Sequence, residues 1–146
     1  MSYATIEDGI SAIIQTVSGF TSANVAQGDY RCLGAGVAQA VILMPGGFIR
    51  NMEASNYMRS VWSTNIELWI PWRGEQSTSS ASIKTVRQNI IDKLDKYPTL
   101  NSVSGVVRAR LVSAGEPETW QTGAKQFWKQ VMVMEVEERT VVSYSE

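Results

Sequence analysis

A chain of 146 residues has room for about one hydrophobic core, and the sequence reads as a single domain over residues 1–146. Its 13 basic and 14 acidic side chains leave a net charge of −1, without the basic excess that general attraction to a phosphate backbone requires. One cysteine, Cys32, and no histidine exclude an intramolecular disulfide and the zinc sites built on imidazole or several thiolates, so no cofactor or metal is expected.

The first residues, MSYATIEDGISAII, lack a basic stretch followed by an apolar one, and the longest apolar run, AVILMP, falls far short of the about 20 residues that span a bilayer. A soluble cytoplasmic product without a membrane partner is the expectation. Thr5 followed by Asp8 resembles a capping box with Asp in place of Glu or Gln, and Ile6, Ile10, Ile13, Ile14 and Val17 then recur at helical spacing. This predicts a first helix over about Thr5 to Ser18, ended by Gly19. A loop with a short strand near Val25 follows. The unbroken run Ala40 to Met44 suits a strand buried on both faces, before a turn at Pro45-Gly46-Gly47.

From Val61 the period becomes two. Trp62, Thr64, Ile66, Leu68 and Ile70 share one side, and Ser63, Asn65, Glu67 and Trp69 the other, until Pro71 ends the strand. The first side is expected to face the core. A second helix is predicted over about Ser80 to Lys96, with Ile83, Val86, Ile90, Ile91 and Leu94 as its apolar stripe and Pro98 closing the segment. Two strands follow, about Gly105 to Ser113 and Gln126 to Arg139, joined by AGEPETWQTGAK read as a polar loop. In the first, Val107, Ala109 and Leu111 are expected to face the core and Arg108 and Arg110 the other way.

The fold class expected from this order is α+β: a single mixed or antiparallel sheet of about four to five strands, with two α-helices packed on one face. Glu67, Trp69, Arg108, Arg110 and one side of FWKQVMVMEVEE then lie on the other face. Val131, Met132, Val133 and Met134 are apolar on both sides of their strand, so that face is partly greasy and implies a neighbour.

Catalytic readings fail on the residues. Histidine, the commonest acid–base group, is absent, and Cys32 has no imidazole to activate it, so a small buried thiol is the plainer reading. Glu135 and Glu137 share a strand side while Glu138 points away, as at a solvated strand end. GAG at Gly34 to Gly36 and MPGGF lack the partners of a dinucleotide or phosphate loop. No enzyme is expected.

Five tryptophans carry more information: Trp62, Trp69, Trp72, Trp120 and Trp128. Each can bury about 150–250 Å2, worth about 4–6 kcal/mol at about 25 cal/mol per Å2 before association costs. Trp62 fits the core. Trp69, Trp72 and Trp120 are candidates for an interface, with core or loop packing and a small-ligand pocket as alternatives, and Trp128 lies on a two-faced strand.

The element order, the strand closing in WSTNIELWIPW, the helix ending in LDKYPTL and the last strand through KQVMVMEVEERTV resemble the tail-terminator, or tail-completion, proteins of long-tailed bacteriophages. The resemblance spans nearly the whole chain and rests on layout rather than on an invariant motif. It implies a non-enzymatic virion protein of the tail, assembled in the host cytoplasm as a homo-hexameric ring. That ring caps the tail tube protein, stops its polymerisation and meets the head-tail connector proteins, while genome DNA passes through the lumen without specific binding. Contact positions do not carry over from the family. Strand alternation alone gives the candidate interface set: Glu67, Trp69, Trp72, Arg73, Arg108, Arg110, Trp120, and Met132 or Met134, with the EPETW and serine-rich loops. A neck connector subunit of the same particle and a small-ligand domain or enzyme with Trp72, Arg73 and Trp120 around a pocket are the alternatives.

Overall fold

Ile6, Ile10, Ile13 and Ile14 all turn inward on α1, which runs Tyr3–Ile14 in the computed structural model. The structure describes residues 3–33, 37–54, 56–72, 76–122 and 125–141. α1 stops four residues short of Ser18, because Thr16 N and Val17 N bond to carbonyls three residues back, Ile13 O and Ile14 O, and tighten the last turn. Gly19, at φ 87°, then reverses the chain in a conformation that a side chain disfavours.

The strands are β1 (Val25–Gln27), β2 (Ala40–Ala54), β3 (Tyr57–Pro71), β4 (Val106–Ala114), β5 (Glu118–Thr122) and β6 (Lys125–Val141), with α2 (Gln76–Asp95) between β3 and β4. The fold is α+β with a mixed sheet: β1 is parallel to β2, and all other pairs are antiparallel. The order is β1-β2-β3-β6-β4, and β5 also pairs with β6, making six strands rather than the expected four to five. The additional strand lies inside AGEPETWQTGAK, where Trp120 pairs with Phe127. Since β3 occupies one edge of β6, β4 and β5 follow each other along the opposite edge. Gln130 fastens their junction by donating from Nε2 to Gly115 O at 2.8 Å.

β2 does not turn at Pro45-Gly46-Gly47. It runs through, with Pro45 opposite Thr64 and Phe48 opposite Trp62, so one extra residue forms a bulge. Gly46 makes this possible, since a Cβ there would lie 2.8 Å from Ser63 O. The backbones of Val41 and Leu43 bond toward β1, so alternation turns the donorless nitrogen of Pro45 to the outer edge, where no ladder bond is owed.

Both helices cover one sheet face. Ile6, Ile10, Ile83, Ile90 and Leu94 meet Val41, Leu43, Ile66, Leu68, Ile70 and Val136 in the main core. The expected split of β3 is observed, with Ile66, Leu68 and Ile70 on the helix side. On β6, Met132 and Met134 also belong to this core, so they are not part of an outward patch, and Val131 and Val133 take the opposite side. A bulge between Val106 and Arg108 shifts the alternation of β4, so Val106 replaces Val107 in the core and Val107 is exposed. After α2, three successive residues, Leu100, Asn101 and Ser102, take left-handed φ values of 52°, 59° and 67°. The buried side chain of Leu100 anchors that turn, and Pro98 O accepts from Ala109 N at 2.7 Å on the outer side of β4.

The sheet outruns its helical cover. β2 and β3 have 15 residues each and β6 has 17, about 50 Å of strand at about 3.3 Å per residue. The 20 residues of α2 span about 30 Å. Phe48–Ala54, Tyr57–Arg59 and Arg139–Val141, past the last rung to β4 at Glu138, therefore project as a three-stranded end.

Candidate assembly interface

Outside the footprint of the helices the sheet divides into three zones, not all on one face: Phe48 and Trp72 share the sides of Trp62 and Trp128, which belong to the helix-side core. At the end where β3 finishes, a smaller core of Leu33, Ala40, Ile42, Trp69 and Phe127 forms, with Ala26, Cys32, Val37 and Met44 packed against it. Trp69 is 2% exposed. Its ring meets Tyr30, Phe127 and Trp120 edge-on at centroid distances of 5.8, 5.7 and 6.1 Å. Its Nε1 donates to Glu67 Oε1 at 3.2 Å, the Tyr30 hydroxyl donates to the same oxygen at 3.5 Å, and Lys129 Nζ lies 3.5 Å from it. The buried carboxylate of Glu67 is thus both paired and hydrogen-bonded, as a charge taken from water must be. Burial, then the neighbouring Glu67 carboxylate, push the Tyr30 hydroxyl pKa up.

This corrects the expectation for Glu67 and Trp69. Both do point away from the helices, but the chain's own segment around Tyr30–Leu33 folds over them, and neither offers a contact surface. Alternation identified the face and could not identify its cover. Met132 and Met134 leave the candidate set because they are sealed beneath the helices.

Trp120 and Trp72 remain accessible at the sheet margin. Trp120 is 44% exposed. It is held by a bond from Nε1 to Glu118 Oε2 at 3.1 Å and by Lys129 Nζ, 4.4 Å from its ring centre. Trp72 is half-buried and stacks on Trp128 at 5.5 Å with 25° between planes, and its backbone N donates to Gln126 O at 2.8 Å. The two indoles share a shallow depression of about 280 Å3 with Thr119, Gln121 and Gln126. A neighbouring open depression of about 410 Å3 lies against Val37, Pro71, Trp72 and Lys125. Arg73 falls outside the described residues.

The middle zone is charged, three arginines set against two glutamates. Arg59 Nε donates to Glu137 Oε1 at 2.7 Å, and Arg108 Nη2 lies 3.8 Å from Glu137 Oε2. Arg110 stands opposite Glu135 in the ladder. The hydrogen bond from Arg59 lowers the Glu137 pKa, burial opposes it, and Arg59, Arg108 and Arg139 add attraction. Arg108 and Arg110 are exposed as expected, beside half-buried Val61, Val131 and Val133.

The projecting end was missed by sequence reasoning, because a turn at Pro45-Gly46-Gly47 leaves FIRNMEASNYMRS unassigned. Its signal was the alternation of Phe48, Arg50 and Met52 with Ile49 and Asn51, followed by Ser55-Asn56 as turn residues. Phe48 is 52% exposed, and Ile49 and Val141 are each 66% exposed, with Met52 and Tyr57 also open. Phe48 stacks on Trp62 at 4.7 Å, Tyr3 meets Trp62 from its own position at 5.6 Å, and Arg50 stands 5.5 Å from the Phe48 ring centre. Trp62 is partly buried against the main core, as its position in the alternation predicts.

Burial pushes the Cys32 thiol pKa up, opposite to the shift that activates a nucleophile. Among the described residues no group of three or more acidic or cysteine side chains is placed to hold a metal ion, and no helix is long and apolar enough to cross a membrane. No family model and no curated protein matches the chain. A solved structure known only by a sequence label aligns with 100% of this chain and 99% of its own, at 20% identity and a TM-score of 0.41; that likeness carries no functional reading.

Proposed function

We propose that the chain is a structural virion subunit that forms a closed ring on the end of a phage tail tube, ends tube polymerisation and presents the surface to which the filled head attaches. The observation that carries the reading is the part of the sheet that the helices leave uncovered: an apolar projecting end, a charged middle and an exposed indole. Exposed apolar side chains gathered in this way mark a surface that another protein covers. A ring of identical subunits needs two different complementary patches on each copy, and the surface offers chemically distinct zones for that purpose.

In this reading the contact residues are Trp72, Arg108, Arg110, Trp120 and the projecting end, and Arg73 stays in the set by its sequence position. The partners are other copies of the chain, six to a ring in the family it resembles, then the tail tube protein and the head-tail connector proteins. DNA passes through without specific binding, and a net charge of −1 suits passage because a strongly basic lumen would retain the duplex. Native mass spectrometry with and without assembled tail tubes tests ring formation. Electron microscopy of particles lacking the protein tests the role: overlong tails support termination, and normal tails with unjoined heads support a neck connector instead.

A second reading is favoured by one observation, the depression shared by Trp72 and Trp120 with two glutamine side chains. It would make the chain a small-ligand-binding domain. A strictly monomeric protein whose melting temperature rises with a metabolite would establish it over the ring.

A further inference from the structure

We propose that copies of this chain join edge to edge. The outer edge of β2 in one copy, Phe48–Met52, would pair antiparallel with the outer edge of β4, Arg110–Ala114, in the next, so that one sheet continues through the assembly. The proposal rests on the ring reading and names the two patches that such a ring requires.

The backbone supplies the first argument. β1 pairs with β2 only at Val41–Leu43, and past the bulge no described strand lies along the outer side of β2. The outward direction is fixed by Val41 N, which donates to Asn24 O, and Leu43 O, which accepts from Gly28 N. Carried across the one extra residue of the bulge, alternation turns the N–H and C=O groups of Phe48, Arg50 and Met52 to the open edge. On β4, Pro98 O already takes Ala109 N. Beyond it, Arg110–Ala114 has no described strand on its outer side. An uncovered strand edge flanked by apolar side chains is a template for further pairing, and β2 and β4 each present one.

Direction supplies the second. β2 is antiparallel to β3, β3 to β6 and β6 to β4, so β4 runs opposite to β2. A neighbour in the same orientation therefore brings its β4 antiparallel to β2. Pairing two β2 edges about a twofold axis centred on Arg50 would instead set the two Arg50 side chains against each other, an unfavourable like-charge pair. The open runs are also offset along the strands. Leu111 and Ala114 lie level with Met134 and Met132, whereas Phe48 is level with Trp62 and Val136. Pairing them staggers successive copies, and staggered strands tilted to the axis are what closing a sheet on itself demands.

Side chains supply the third. On the two edges themselves, Phe48, Ile49 and Met52 of β2 and Val112 of β4 are exposed apolar side chains that edge pairing would cover.

The test uses two full-length variants and native mass spectrometry at equal concentrations. Arg50→Pro removes an outward N–H at an edge position, and Val112→Asp puts a charge on the opposite edge. Each alone should be a single folded chain, with the circular dichroism spectrum of the wild type. Mixed together they should give a species of two chains and nothing larger, because each variant keeps the edge that the other lacks. Ile49→Lys, which changes an open side chain without touching the ladder, replaces Arg50→Pro if that variant does not fold. Rings that persist in either variant, or a mixture that stays monomeric, would overturn the edge pairing while leaving a ring built by other contacts standing. A wild-type protein that remains a single chain even with tail tubes present would overturn the ring reading itself.

Discussion

Replacing Trp69 by alanine separates a core residue from an interface residue. The indole is 2% exposed and is bounded by Tyr30, Phe127 and Trp120, so truncation empties a site that the ladder partners on β2 and β6 cannot refill without moving the sheet. Trp→Ala in such a position costs about 3–5 kcal/mol. Glu67 also loses one donor but keeps Tyr30 and Lys129, adding about 1 kcal/mol. A total near 5 kcal/mol, at about 3 °C per kcal/mol for a chain of this size, lowers Tm by roughly 15 °C. The assay is urea unfolding followed by far-UV circular dichroism at two protein concentrations tenfold apart, which avoids reading a tryptophan variant by its fluorescence. Trp69→Phe, which retains an aromatic ring and removes the N–H, should fall between the variant and wild type. A loss below about 1 kcal/mol, or one that disappears on dilution, would refute the reasoning, since the indole would then be covered by another copy and not by Tyr30–Leu33.

Trp120→Ala and Arg110→Glu should leave unfolding of the isolated chain within about 1 kcal/mol of wild type. In the ring reading each should weaken self-association at least about tenfold, equivalent to about 1.4 kcal/mol, by analytical ultracentrifugation. Glu137 has a depressed pKa, so its contribution to stability is present above the unfolded carboxyl value and is lost as pH falls through the folded one. Glu137→Gln should therefore flatten the fall in Tm below about pH 4.5, and an unchanged slope would deny the Arg59 pairing its part. Glu7 has the opposite sign. Burial raises its pKa, so folding favours the protonated form and stability is lost as pH rises through the raised value. Glu7→Gln should accordingly gain melting temperature relative to wild type at pH 8 more than at pH 4, as differential scanning calorimetry would read.

How much of this was legible differs from element to element. The isoleucine stripe of α1, the apolar positions of α2 and the two-sidedness of β3 are periods carried by neighbours in sequence, and an α+β fold with one helix-covered face follows from them. The side taken by Met132 and Met134 was not legible, because β6 is apolar at every position from Val131 to Met134 and alternation without contrast has no sign. Pro45-Gly46-Gly47 carries turn residues, yet the ladder to Thr64 and Trp62 holds it as a bulge, a choice made by β3. Composition made AGEPETWQTGAK a loop, and the edge of β6 made part of it a strand.

The sequence by itself determined which residues could share a helix stripe or a strand side, because those relations are set within a few residues by the pitch of the backbone. Only the tertiary structure decided which side was covered, and by what. Trp69 is closed over by residues nearly forty positions earlier in the chain, while Phe48 and Ile49 stay open because the strands are longer than the helices that pack on them. Coverage depends on which distant segment arrives at a face, and no local period encodes that.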